Sequence, residues 1–103
     1  MRISEKEKNI ILSTLNSFHH KDVPNTKIFL HGSRIDDNLK GGDIDLFWII
    51  DDQYYENTVS KKHYIVSDLS LKLNEQRVDL TIIKMSDKNG HSFFNNSQKL
   101  ELS

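Results

Sequence analysis

The sequence predicts an α/β (α+β) fold in which helices flank a small mixed β-sheet. Three short apolar runs, within residues 27–30, 43–50 and 77–83, have the length and composition of strands. Two longer segments, residues 4–19 and 58–75, carry apolar residues at helical spacing. Strands that alternate with helices in this way are typical of a sheet packed against helices.

The first element is predicted to be an amphipathic helix over residues 4–19. Ser4 followed by Glu7 matches a capping box, in which each side chain bonds to the backbone N–H of the other residue. Apolar residues then recur at helical spacing, and these are Ile10, Ile11, Leu15 and Phe18. We therefore expect one face of this helix to pack on the sheet.

The first strand, residues 27–30, leads the chain to Gly32 and Ser33. Small side chains at this turn allow a ligand to approach the backbone. A loop of turn-forming residues then connects to the second strand at residues 43–50. After that strand, residues 54–57 are predicted to form a polar aromatic loop.

A second helix is predicted over residues 58–75, and it crosses the sheet between the second and third strands. Its apolar stripe consists of Ile65, Leu69 and Leu73. Residues 77–83 follow as the third strand. The stripe therefore indicates a helix that packs on the sheet it connects.

The C-terminal part of the chain is less regular. Residues 84–90 are predicted to be a loop and residues 91–98 a short helix, whereas residues 99–102 form either a fourth strand or a frayed end. Phe93 and Phe94 are either core residues or contacts for a partner protein.

Length and composition exclude several classes of protein. The chain has 103 residues, so we expect residues 1–103 to form one domain. Its net charge is −1 and it has no basic block, so no direct nucleic-acid binding is expected. Cysteine is absent, which excludes disulfides and thiolate metal sites and fits a cytoplasmic protein. No apolar run is long enough to span a membrane.

Three aspartates point to a metal site. Asp43 and Asp45 stand two residues apart at the start of a strand and therefore share one face, and Asp79 is a lone acid in an otherwise apolar strand. Like charges about 4 Å apart repel by about 4 kcal/mol at an effective dielectric constant near 20. A divalent cation is the natural counter-charge, and an all-oxygen ligand set favours Mg²⁺ or Mn²⁺.

The arrangement of these residues resembles the nucleotidyltransferase superfamily that includes DNA polymerase beta. The matching residues are, in chain order, Gly32, Ser33, Asp43, Asp45 and Asp79. Chain length and the wording GGDIDLF at residues 41–47 make the chain similar to the minimal nucleotidyltransferases (MNT), single-domain antitoxins that pair with HEPN-domain toxins in prokaryotes. The resemblance covers residues 27–83 and implies a polymerase beta-like nucleotidyltransferase fold.

The activity that this resemblance implies is transfer of AMP from ATP to a tyrosine of a HEPN ribonuclease toxin within a hetero-oligomer. Two Mg²⁺ ions, or Mn²⁺, would assist the transfer. We expect Asp43 and Asp45 to hold the metal bound to the nucleotide, and Asp79 to help hold the catalytic metal and to assist deprotonation of the acceptor hydroxyl. Gly32 and Ser33 would bind the nucleoside triphosphate through backbone N–H groups and a hydroxyl, with Arg34 as a further contact.

Two other functions remain open at this point. The same fold can neutralise a partner simply by covering its active site, without catalysis. Alternatively, the acceptor is a small molecule or a nucleic-acid end. The chain also departs from the usual wording of the family at His31, where an apolar or aromatic residue is frequent, and at Ile35, where alanine often follows the arginine.

Overall fold

The computed structural model describes residues 3–18, 26–31 and 43–102. In chain order the elements of these segments are α1 (Glu5–Ser17), β1 (Lys27–His31), β2 (Ile44–Ile50), α2 (Asp52–Ser60), α3 (Lys62–Lys72), β3 (Val78–Lys84), a 3₁₀ helix (Met85–Gly90), α4 (Ser92–Asn96) and β4 (Lys99–Glu101). The predicted mixed α/β fold is therefore confirmed.

The strands form one mixed sheet in the order β3-β2-β1-β4. β1 pairs antiparallel with β2 on one side and with β4 on the other. β2 and β3 run parallel, because α2 and α3 carry the chain back across the sheet between them. The predicted crossover between the second and third strands is confirmed.

One face of the sheet is covered by α1 and α3. Alternate residues of the central strand β2 point into this core, among them Ile44, Leu46 and Trp48, all fully buried. The predicted stripes of the two helices meet them there, and their buried members are Ile11, Leu15, Ile65, Leu69 and Leu73. This core fixes which side chains of β2 and β3 face the other way.

The opposite face carries a smaller, aromatic core. Phe47 and Ile49 of β2 and Ile83 of β3 are buried there beneath Phe94 of α4. Phe94 is 3% exposed, whereas its neighbour Phe93 is 53% exposed, so the two adjacent phenylalanines have different environments. The acidic residues of β2 and β3 belong to this face.

Two predictions for the segment after β2 were wrong. Residues 54–57 lie in α2, and the helix expected over residues 58–75 is divided at Lys61 between α2 and α3. Asp51 starts α2, because its Oδ1 accepts a hydrogen bond of 3.1 Å from the Gln53 N–H. Thr58 is the buried residue of α2, so the helix has no apolar stripe for periodicity to detect.

The C-terminal segment is more ordered than the sequence indicated. The loop predicted at residues 84–90 contains the 3₁₀ helix, whereas the short helix predicted at residues 91–98 is confirmed as α4. Of the two outcomes expected for residues 99–102, the strand is the correct one, since β4 pairs with β1. This segment lies next to the end of β1.

The predicted capping box at the start of α1 is present. The Glu7 N–H donates to Ser4 Oγ and the Ser4 N–H donates to Glu7 Oε1, each at 3.0 Å. We expect Ser4→Ala to lower the free energy of unfolding by about 1 kcal/mol. Urea unfolding tests this, with the exposed Ser13→Ala as control, and equal losses in the two variants would contradict the capping role.

Among the helices of the described segments, none combines the length and the apolar character that crossing a membrane requires.

Candidate functional site

Two of the three predicted aspartates lie side by side. Asp45 of β2 is the register partner of Asp79 on the parallel strand β3. Because paired residues on neighbouring strands point to the same face, both carboxylates stand on the aromatic face, away from the α1 and α3 core. The crossover thus brings together residues that are 34 positions apart in the sequence.

His31 extends this row onto a third strand. It ends β1 and is the register partner of Asp45 across the antiparallel β1 and β2 pair. His31, Asp45 and Asp79 therefore form a row of three titratable side chains across three strands, which we call the His-Asp-Asp row. His31 was not among the site residues predicted from the sequence, where it was noted only as a departure from a family pattern.

Asp43 stands at the entrance to β2, two residues before Asp45. Its Oδ2 lies 3.7 Å from Nε of Arg77, and both side chains are substantially exposed. Such surface pairs contribute about 1 kcal/mol or less. Asp43 is near enough to Asp45 for its charge to raise the pKa of that carboxyl, but its own ion pair is with Arg77.

The turn between α3 and β3 fixes where Asp79 stands. Asn74 and Glu75 both adopt left-handed backbone conformations, with φ of 60° and 61°. The Glu75 N–H donates to the Ser70 carbonyl at 2.7 Å, and the Ile44 N–H donates to the Arg77 carbonyl at 2.9 Å. These bonds lock the start of β3 against β2, so the two aspartates stay in register.

Burial and neighbouring charges shift the pKa values of two side chains in the row, Asp45 and His31. Partial burial, followed by the negative charges of Asp79 and Asp43, raises the pKa of Asp45. Burial lowers the pKa of His31, although the charge of Asp79 opposes that shift. The row therefore places an imidazole whose pKa is lowered beside an aspartate whose pKa is raised.

His31 is enclosed by aromatic rings. It is 6% exposed, its ring stacks on Phe47 with centroids 3.9 Å apart, and Phe93 approaches it edge-on at 5.5 Å. Among the described residues, its Nε2 has no hydrogen-bond partner. The signal in the sequence was a polar residue at the end of an apolar strand, directly before Gly32 and Ser33.

The row opens into a cavity of about 470 Å³, a size typical of ligand sites. Its lining consists of His31, Asp45, Asp79, Phe93, Ser97 and Gln98. A larger cavity of about 670 Å³ beside α3 is lined mainly by apolar and serine side chains, with Glu75 and Arg77. The smaller cavity is the better candidate, because it is the one that contains paired carboxylates.

The C-terminal segment supplies the far wall of this cavity. Phe94 is anchored in the aromatic core, and its N–H donates to Nδ1 of His91 at 3.2 Å. Lys99 pairs in register with His31, and its Nζ donates to the Phe94 carbonyl at 2.9 Å. These contacts hold Phe93 and Gln98 opposite the His-Asp-Asp row.

Two further predictions concern the nucleotide-binding residues and the metal. Gly32, Ser33 and Arg34 lie outside the described residues. In the described segments, no three His, Cys, Asp or Glu side chains are arranged to hold a metal. The donor set itself fits Mg²⁺, because carboxylate oxygens are its preferred ligands. Burial first, and then the charges of Asp79 and Asp43, raise the pKa of Asp45, and a bound cation would offset the part that comes from these charges.

We expect Asp45→Asn to stabilise the protein at neutral pH. Since the pKa of Asp45 is raised above 3.8 on folding, the folded state binds this proton more tightly than the unfolded state. The contribution of Asp45 to stability is therefore full below pH 3.8 and is lost as the pH rises through the folded-state pKa. Urea unfolding across this interval should show an advantage of the variant that grows with pH and then levels off, and a pH-independent difference would contradict the assignment.

A comparison of the sequence with the models of known protein families and with curated proteins gives no match.

Proposed function

We propose that this chain is a magnesium-dependent nucleotidyltransferase of the minimal, antitoxin type, which transfers AMP from ATP to a tyrosine of a HEPN ribonuclease. The observation that carries the proposal is the register of Asp45 against Asp79 on parallel strands, beside a cavity. Phosphoryl-transfer chemistry needs paired carboxylates in such a position, whereas a purely structural sheet has no use for them.

The proposed roles follow the positions of the three aspartates. Asp43 and Asp45 would hold the metal on the nucleotide, and Asp79 would contribute to the catalytic metal. The metals would stabilise the charge that develops on the attacking and leaving oxygens. For Asp43 this requires its carboxylate to leave Arg77, and an exposed pair of this kind is weak enough to exchange.

In the transfer step one bond to phosphorus forms and another breaks. The phenol oxygen forms a bond to the α-phosphorus of ATP, and the bond from that phosphorus to the bridging oxygen breaks. Pyrophosphate leaves with the electron pair of the broken bond, and the phenol proton passes to the carboxylate of Asp79. The protein contributes mainly by positioning and by electrostatics.

The proposal is tested by incubating the purified chain with ATP, Mg²⁺ and a HEPN-domain partner protein, to be sought in the reading frames next to its own. The intact mass of that partner should increase by one or more AMP groups, and its ribonuclease activity should fall in parallel. If the partner loses activity with no AMP adduct, catalysis is not the basis of neutralisation.

A second candidate function is neutralisation by binding alone. The observation that favours it is that the described residues do not gather three metal ligands, since Asp43 is engaged with Arg77. The double variant Asp43→Asn and Asp45→Asn separates the two functions. If it still binds the partner but fails to neutralise it, catalysis is required, whereas unchanged neutralisation supports masking.

A further inference from the structure

The buried imidazole of His31 has no role in the chemistry described so far. A buried polar atom without a partner costs free energy, and such atoms are uncommon in folded proteins. Nε2 of His31 is an atom of this kind among the described residues, and the side chain is 94% buried, being 6% exposed. The same side chain lines the cavity that contains Asp45 and Asp79.

The surroundings of His31 restrict the ligand that Nε2 can meet. An anion that arrives without a metal ion would be repelled by the neighbouring Asp45 and Asp79, so a free carboxylate or free phosphate is disfavoured at Nε2. A hydroxyl both donates and accepts a hydrogen bond, and it therefore satisfies Nε2 in either neutral tautomer. A neutral hydroxyl group is the best chemical match to this position.

The walls of the cavity favour an aromatic carrier for that hydroxyl. Phe93 is 53% exposed and lies edge-on to both His31, at 5.5 Å, and Phe47, at 5.2 Å. Aromatic rings gain favourable contacts in offset or edge-on arrangements. Nε2 itself is enclosed, and the half-exposed Phe93 ring lies against His31, so we expect this ring to move when a hydroxyl reaches Nε2.

We infer that Nε2 of His31 binds the acceptor hydroxyl, and that the cavity beside Asp45 and Asp79 is the subsite for a neutral phenolic side chain. This inference rests on the proposed function, because it names the group that receives AMP. His31 contacts the substrate and thereby positions the phenol oxygen beside Asp79. The imidazole serves as a hydrogen-bond partner of the phenol and is not the base that removes its proton.

The inference is tested by a double-mutant cycle between the ligand hydroxyl and His31. The two probes are N-acetyl-tyrosinamide and N-acetyl-phenylalaninamide, which differ by that hydroxyl alone. The protein variant is His31→Phe, which keeps an aromatic ring against Phe47 and removes Nε2. We expect the variant to bind the tyrosine amide about fivefold to tenfold more weakly and the phenylalanine amide equally well.

The results of the cycle decide whether Nε2 of His31 binds the phenol hydroxyl. Equal effects on the two amides, or no binding of either amide to the wild-type protein, would overturn the inference. If His31→Phe does not fold, the imidazole ¹⁵N shift of wild-type His31 replaces the cycle, and it must change with the tyrosine amide and not with the phenylalanine amide. A His31→Gln variant should recover part of the lost affinity, because its amide retains hydrogen-bonding capacity.

Failure of this inference is distinguishable from failure of the proposed function. Binding of the amides requires neither ATP nor transfer of AMP. An intact cycle without any AMP adduct on the partner protein would leave the phenol subsite standing and remove the enzymatic proposal. An AMP adduct without coupling between His31 and the hydroxyl would support the enzymatic proposal and remove the phenol subsite.

Discussion

Replacing Asp45 with Asn is expected to lower the rate of AMP transfer about 1,000-fold, because loss of one carboxylate removes several kcal/mol of metal-assisted stabilisation of the transition state. Asp45 has this effect because it stands in register with Asp79 and shares its face. Asp79→Asn should cause a loss of similar size. The measurement is single-turnover transfer of radiolabelled AMP to the partner protein.

The control for this prediction is Asp87→Asn. Asp87 is an exposed carboxylate in the 3₁₀ helix, away from the His-Asp-Asp row, so its loss should leave the rate unchanged. Asp45→Asn must also remain folded, as the relief of charge repulsion predicts. An Asp45→Asn protein that keeps more than about a tenth of the wild-type rate would show that the carboxylate is not part of the catalytic site.

Leu69→Ala is expected to lower the free energy of unfolding by about 2–5 kcal/mol, the range found for large-to-small substitutions in cores. Leu69 is fully buried on α3, where it packs against the helix-covered face of the sheet. Domains of this kind are stabilised by only about 5–15 kcal/mol in total. The substitution therefore removes a large fraction of the stability, and urea unfolding measures it.

Leu71→Ala is the matched control on the same helix. Leu71 is 68% exposed, so its truncation should change the free energy of unfolding by about 0.5 kcal/mol or less. The intrinsic helix preference changes equally in both variants and cancels in the comparison. Similar losses for Leu69→Ala and Leu71→Ala would contradict the orientation of α3.

Patterns that are local in sequence predicted their structures well. Ser4 and Glu7 form the predicted cap, because a capping box depends on residues within one turn of helix. Leu69 is buried as its spacing indicated, because periodicity reports the buried face directly. Asp45 lies on the face opposite Ile44 and Leu46, as the alternation of side chains along a strand predicts.

Features that depend on tertiary contacts were less predictable. α2 buries Thr58 and has no apolar stripe, so its polar residues 54–57 looked like a loop. His31 joins the site through antiparallel pairing and through Phe93, which is far away in the sequence. The exposed Arg77 engages Asp43 from the neighbouring strand, a contact that composition does not reveal.

On the proposed function, Asp45 and Asp79 belong to one site that binds magnesium together with a nucleotide. Calorimetric titration of the protein with Mg²⁺ and a non-hydrolysable ATP analogue tests this most directly. We expect the wild-type protein and Asp87→Asn to bind the analogue saturably in the presence of Mg²⁺. We expect Asp45→Asn and Asp79→Asn to lose this binding. Absence of heat with the wild-type protein, or equal binding by all four proteins, would contradict it.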